Sequence, residues 1–256
     1  MILTIDAGNS RLKWGVFDSA GEMKAHGVCM NTELDSKAPV AWRACKRAVI
    51  SNVAGETVAE KINTLLRPLD IPMRWVVASA QACSVKNSYT EPQQLGTDRW
   101  AALVAAWQHY RAPCIVINAG TALTIDALAV DALGVDKKTE HGIFLGGLIL
   151  PGFSLMQISL TQGTAGIRAL PGSSQNFPTN TDDALYTGAL SAMVGAVESM
   201  VIKLQQREAR SPRCVVSGGD ATLLAEALKD SKIANNVVIA DNLVLQGLLQ
   251  LERESA

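Results

Sequence analysis

The chain begins with a nearly unbroken apolar run, Ile2-Leu3-Thr4-Ile5, that stops at Asp6-Ala7-Gly8. A run closed by an acid and a glycine predicts a buried strand entering a tight turn. From Arg11 the chain alternates, with Leu12, Trp14 and Val16 set against Arg11 and Lys13, which predicts a return strand with two unlike faces over 11–17. Further strands are expected over 43–52 and 74–79, with a helix over 58–66 between them. Gly96-Thr97-Asp98-Arg99 then opens an Ala-rich helix over 100–110, and Pro113 breaks the pattern.

The second half repeats this programme. Ile115-Val116-Ile117-Asn118-Ala119-Gly120-Thr121-Ala122 echoes the opening, with Asn118 answering Asp6, and 123–128 is the expected return strand. An apolar, glycine-containing segment follows over 142–151. Leu190, Met193, Val194, Val197, Val201 and Leu204 recur at helical spacing and predict a long amphipathic helix. A strand over 214–217 runs into Gly218-Gly219-Asp220, ahead of helices over 221–228 and 243–251. The most loop-like stretch is 173–180, with Pro171 and Pro178 near its ends. Strands first and then alternating helix and strand, twice over, predict an α/β chain built by duplication, with lobes at 1–112 and 113–256.

At 256 residues, 48% of them apolar, the chain has material for one large core or two small ones. A net charge of −1 and the lack of a long basic run leave no electrostatic footprint for nucleic acid. Cys29, Cys45, Cys83, Cys114 and Cys214 are odd in number, scattered and without a C-x-x-C pair, which predicts reduced structural thiols in a cytoplasmic protein. A strand is expected from residue 2, so no leader is expected before it, and the nearly apolar run 142–153 is too short and too rich in Gly to span a bilayer; no membrane association is expected. His26, His109 and His141 have no ligand spacing, and the five Trp are scattered rather than arrayed for base stacking.

Two glycine turns in matching places are the first candidate chemistry. Glycine lets a ligand approach the backbone closely, and turn N–H groups can hold phosphate oxygens. At the first turn Asp6 can hold Mg²⁺, usually through water, while Gly8, Asn9 and Ser10 offer donors and Lys13 a mobile charge. An ordinary hairpin, its Asp accepting turn N–H bonds, accounts for one such turn alone; a matched pair points to two lobes gripping one polyanion. The second candidate is Tyr89-Thr90-Glu91-Pro92-Gln93-Gln94-Leu95-Gly96-Thr97-Asp98-Arg99. Thr97 can cap the helix and place Asp98 in its first turn, where the helix dipole favours the carboxylate by about 0.3–1 kcal/mol. Asp98 is therefore expected to be ionised at neutral pH and able to accept a proton, with Arg99 able to bind a carboxylate; a local surface ion pair is the plain alternative. The glycine breaks Gly146-Gly147, Pro151-Gly152 and Gly218-Gly219 form a third set, and the last, between strand and helix, suits a base or ribose.

Together these motifs resemble those of the type III pantothenate kinases, in the superfamily of acetate and sugar kinases and actin, over almost the whole chain. The resemblance implies a duplicated actin-like (ribonuclease H-like) two-lobe kinase fold with mixed sheets flanked by helices. Asp6-x-Gly8-Asn9-Ser10 is similar to the first phosphate loop, implying ATP contacts from Asp6, Ala7, Gly8, Asn9, Ser10, Arg11, Leu12 and Lys13. Gly120-Thr121-Ala122, followed by Thr124 and Asp126, is similar to the second phosphate loop, and the three glycine breaks, Gly218 and Gly219 among them, to adenosine-side motifs. Tyr89-x-x-Pro92-x-x-Leu95-Gly96-x-Asp98-Arg99 is similar to the pantothenate motif, implying substrate contacts from Tyr89, Gly96, Thr97, Asp98 and Arg99. Asn180-Thr181-x-Asp183-Ala184 resembles a segment that reaches a neighbouring subunit's substrate pocket, which implies a homodimer and a role for Thr181. The implied reaction is phosphorylation of the primary hydroxyl of pantothenate by ATP with Mg²⁺, giving 4'-phosphopantothenate on the way to coenzyme A, with Asp98 as the base. One position departs from the family, which carries Asp where this chain has Asn118, a place associated with a required potassium or ammonium ion; cation affinity there is expected to fall. Two other readings stay open, a kinase for another small hydroxyl substrate and a non-catalytic nucleotide-binding regulator.

Overall fold

A computed structural model describes residues 1–34, 37–131, 140–163, 171–234 and 236–255. Its contacts group the chain into two units, Met1–Tyr110 with Asn242–Ala256, and Arg111–Asp241.

The first unit contains β1 (Ile2–Ala7), β2 (Arg11–Phe17), β3 (Met23–Met30), β4 (Arg47–Asn52), α1 (Glu56–Leu66) and β5 (Met73–Trp75). A short hairpin of β6 (Gln81–Ala82) and β7 (Val85–Asn87) follows, then α2 (Thr97–Tyr110) and, from the far end of the chain, α6 (Leu243–Ser255). Its main sheet is ordered β3-β2-β1-β4-β5. β1 runs antiparallel to β2 and parallel to β4, so Asp6 faces Lys13 on one side and Ser51 on the other. Leu3, Ile5, Ala7, Leu12 and Ile50 form a core with Val58, Ile62, Leu65 and Leu66 of α1. α2 packs against α6 so closely that a Cβ on Gly247 would lie 1.8 Å from the Ala101 carbonyl oxygen. Glu252, buried on α6, is held by Arg47 of β4 and by Arg74 of β5 at 3.2 Å.

The expected second lobe, 113–256, is corrected by this arrangement. Leu243, Val244, Leu245, Leu248, Leu249 and Leu251 are buried on a helix that belongs to the first unit. Nothing in the local pattern of an amphipathic helix says which of two cores will take it.

The second unit contains β8 (Cys114–Ala119), β9 (Ala122–Asp131), β10 (His141–Pro151), α3 (Phe153–Gly163), α4 (Thr181–Glu208), β11 (Arg213–Ser217), α5 (Ala221–Leu228) and β12 (Val237–Ile239). Here the order is β12-β11-β8-β9-β10, with β9 antiparallel to both β8 and β10, and β11 parallel to β8 and β12. The pairing scheme of the first unit is thus repeated strand for strand. Asn118 stands beside Ser217 as Asp6 stands beside Ser51. The expected duplication therefore extends well beyond the two glycine turns.

α4 is long and apolar enough, by length and composition, to cross a membrane. Its apolar side is engaged instead, with Met193, Val197, Val201 and Leu204 buried in one cluster with Ile117, Ile125, Val216 and Leu224. The five cysteines are reduced, outside any disulfide, and burial pushes Cys114 and Cys214 up to about 12.

Several elements depart from expectation. The strand expected over 43–52 is a short 3-10 turn, Val40–Ala44, followed by β4, and the strand expected over 74–79 shrinks to β5. β3 was not anticipated because its buried-side positions are Met23, Ala25, Gly27 and Cys29, too small or mixed for a clear alternating signal. The apolar segment over 142–151 is β10 itself, with a bulge between Phe144 and Gly146, and α3 follows it directly.

Candidate functional site

In the first unit the predicted residues converge on the open end of β1. Gly8, Asn9 and Ser10 connect β1 to β2, and the turn is closed by the Gly8 N–H donating to the Arg11 carbonyl at 3.1 Å. Within the predicted loop, Ala7 and Leu12 have no exposed surface and lie in the core, paired with each other in the β1–β2 ladder. Enclosed in this way, they frame the loop rather than form its surface. Arg11 is exposed, and Lys13 is directly across from Asp6.

Asp6 is half-buried, and its Oδ1 is enclosed without a hydrogen-bond partner. Burial raises its carboxyl from 3.8 to about 7; repulsion from Asp98 adds to the rise and Lys13 opposes it. Two carboxylates therefore sit near one another with one oxygen unsatisfied, an arrangement a cation relieves. Among the described residues no cluster of three or more His, Cys, Asp or Glu side chains is suited to a metal cage. The donor set instead fits a hard ion that takes one or two carboxylates and completes its shell from water and phosphate.

Asp98 lies in the first turn of α2, its Oδ1 accepting from the Arg99 backbone N–H at 2.8 Å. Its pKa is raised by burial, against the pull of that hydrogen bond and of the Arg99 charge. The sequence-based expectation weighed only the helix dipole; desolvation is the larger effect here. Thr97 also differs from expectation. It is the first residue of α2, its hydroxyl meets Ser51 Oγ at 2.7 Å, and it is the Gly96 carbonyl that accepts from the Trp100 N–H at 2.9 Å. A Cβ at Gly96 would lie 2.7 Å from Asp98 Oδ1, so glycine leaves this carboxylate its room. Arg99 is only 6% exposed, which removes the surface ion pair as an explanation. Its Nη1 donates to the Tyr89 hydroxyl at 3.1 Å, and its guanidinium lies 5.8 Å from the Tyr89 ring centroid.

Sequence reasoning missed Ser51 and Asn31. Ser51, buried at the end of β4, ties that strand to α2 beside Asp6. A hydroxyl ending a strand next to a predicted motif is its only local signal. Asn31 follows β3, and its Nδ2 donates to the carbonyls of Gly8 and Asn9 at 2.8 and 3.0 Å.

In the second unit, Asn118, Gly120, Thr121 and Gly218 come together at the matching end of β8. A Cβ on Gly152 would lie 1.9 Å from the Gly120 carbonyl oxygen, and the Gly152 N–H donates to the Thr121 carbonyl at 2.9 Å. Gly218, with φ of +104°, would carry its Cβ 2.2 Å from the Ala119 carbonyl oxygen and 2.7 Å from Asn118 Oδ1. Gly219 is exposed in the same turn, whereas Gly146 and Gly147 lie within β10 and Gly147 pairs with Asp126. Thr181 lies apart from this cluster, at the start of α4, on an open groove shared with Met156 and Leu160 of α3.

Residues 2–203 match the family described as type III pantothenate kinase. The chain is 42% identical over 255 residues to the type III pantothenate kinase of Methylobacillus flagellatus, covering 98% of each, and 39% identical to that of Nitrosospira multiformis, covering 100% of this chain and 92% of the relative. Among solved structures, one described as a 2-dehydro-3-deoxygalactonokinase protein from Sinorhizobium meliloti superposes with a TM-score of 0.58 at 16% identity, covering 99% of this chain and 98% of its own. At that identity the likeness speaks for the fold, an α/β actin-like sugar-kinase architecture of mixed sheets and helices. By its match from residue 2 to residue 203 and its full-length relatives, the chain belongs to the type III pantothenate kinase family.

Proposed function

We propose that Asp98 is the base through which this chain phosphorylates pantothenate, and that the observation carrying this role is its buried carboxylate beside Asp6 and the Arg99–Tyr89 pair. Family membership makes the chain a pantothenate kinase, an ATP-dependent transferase of coenzyme A biosynthesis. The primary hydroxyl oxygen of pantothenate forms a bond to the γ-phosphorus as the bond to ADP breaks, and the hydroxyl proton passes to Asp98. Phosphoryl transfer has a loose transition state, so orientation and charge compensation matter more than the strength of the base. A carboxylate whose pKa is raised by burial is also a better proton acceptor than an exposed one.

Arg99 and Tyr89 supply donors for the pantothenate carboxylate, with Gly96 and Thr97 shaping the space beside Asp98. The loop Gly8-Asn9-Ser10 with Lys13, and the turn Gly120-Thr121, are assigned to ATP phosphates, and Gly218-Gly219 to the adenosine. Asp6 is the residue for Mg²⁺, which when bound compensates phosphate charge. Asn118 offers a neutral acceptor oxygen, so any potassium or ammonium ion there is held weakly. Thr181, with the groove between α3 and α4, is assigned to a homodimer, and the protein to the cytoplasm. The test is purified protein with ATP, Mg²⁺ and pantothenate, titrated with potassium and ammonium. Formation of phosphopantothenate is expected, with any activation by potassium or ammonium reached only at high concentration; no product at any cation concentration overturns the assignment.

A further inference from the structure

The hydrogen bonds around Asn31 connect every carbonyl of the phosphate turn to one residue. Its side-chain Nδ2 donates to the Gly8 carbonyl at 2.8 Å and the Asn9 carbonyl at 3.0 Å, and its backbone N–H to the Ser10 carbonyl at 3.1 Å. Three successive carbonyls are thus drawn to the same side. In a trans peptide the N–H that follows a carbonyl points the opposite way. Fixing the carbonyls of 8, 9 and 10 therefore turns the N–H groups of Asn9, Ser10 and Arg11 to the face away from Asn31. Successive N–H groups on one face are the arrangement that holds a phosphate oxygen.

The orientation of the amide is set by its surroundings. The reverse orientation would press Oδ1 against two carbonyl oxygens, which it cannot satisfy. As it stands, Oδ1 is buried without a hydrogen-bond partner. The residue thus leaves its own acceptor unsatisfied while serving both turn carbonyls. Asn31 is itself braced from behind, because Lys61 of α1 donates to its carbonyl at 3.0 Å. α1 and the start of the segment after β3 therefore form a backing for the turn.

We propose that Asn31 is a positioning residue for ATP, holding the Gly8-Asn9-Ser10 turn so that its amides face the phosphates. This rests on the assignment of that turn to ATP. The experiment compares wild type with Asn31→Asp, close in shape but without the donors, with Asn31→Gln, which keeps them, and with Lys13→Ala as a probe of the turn itself. KM values for ATP and pantothenate, kcat and melting temperature are measured for each. Asn31→Asp is expected to raise KM for ATP about tenfold or more, equivalent to about 1.4 kcal/mol, with KM for pantothenate within about twofold. Asn31→Gln is expected to recover part of the loss. If Asn31→Asp does not fold, Asn31→Ala carries the same readout. An unchanged KM for ATP in a folded Asn31 variant, or equal rises for both substrates, overturns the proposal while Lys13→Ala still weakens ATP. If Lys13→Ala also leaves ATP unaffected, the assignment of the turn has failed instead.

Discussion

Asp6 and Asp98 set the electrostatics of the first unit, and each yields a separate measurement. Asp98→Asn keeps the shape of the side chain but removes the proton acceptor. It is expected to lower kcat about 100-fold or more and to leave ATP affinity nearly unchanged, as read by steady-state kinetics and calorimetry. Asp6 has a folded pKa of about 7, above the ordinary 3.8. A group raised in this way supports the folded state fully below its unfolded pKa, and that support is lost as pH rises through the folded value. The ligand-free protein should therefore lose stability between about pH 4 and pH 7 on account of Asp6. Asp6→Asn should flatten this part of the profile and raise the melting temperature at pH 8 by about 5 °C, while weakening Mg·ATP binding at the same pH. A variant with the wild-type pH profile would mean that Asp6 is not the group buried at this cost.

Glycines at the ends of β10 and β11 show how elements, rather than single side chains, build the second turn. Gly152→Ala would force a Cβ to within 1.9 Å of the Gly120 carbonyl oxygen, so the backbone of β10 or of the turn must shift. A loss of about 1–3 kcal/mol in stability is expected, with weaker ATP binding, by thermal melts and calorimetry. Gly195→Ala, on the exposed side of α4 with open space around it, should instead be neutral or stabilising by up to about 1 kcal/mol. The strands that carry these turns were legible because β1, β2, β8 and β9 have strong apolar periods and acid-glycine or Asn-glycine stops. The motif from Tyr89 to Arg99 was legible as chemistry, but its electrostatics were not. Burial of Asp98 and Arg99 depends on packing that no local pattern records. Asn31 was invisible for a related reason, since its partners Gly8 and Asn9 are more than twenty residues away in the chain.

The two units share one topology, β3-β2-β1-β4-β5 and its counterpart β10-β9-β8-β11-β12, yet they differ in how the chain completes them. The second is a continuous segment, Arg111–Asp241, whereas the first needs α6 from the end of the chain. Removing the residues from Asn242 onward strips six buried aliphatic side chains from the first unit and the Glu252 link to β4 and β5. That truncation is expected to abolish cooperative folding of the first unit, seen as loss of soluble protein or of a two-state melt. This discontinuity also bears on the order in which a ribosome delivers the parts. Domains tend to fold as they emerge. The sheet of Arg111–Asp241 draws on one continuous stretch of chain, whereas the half that is translated first must wait for the last helix before its own core is complete.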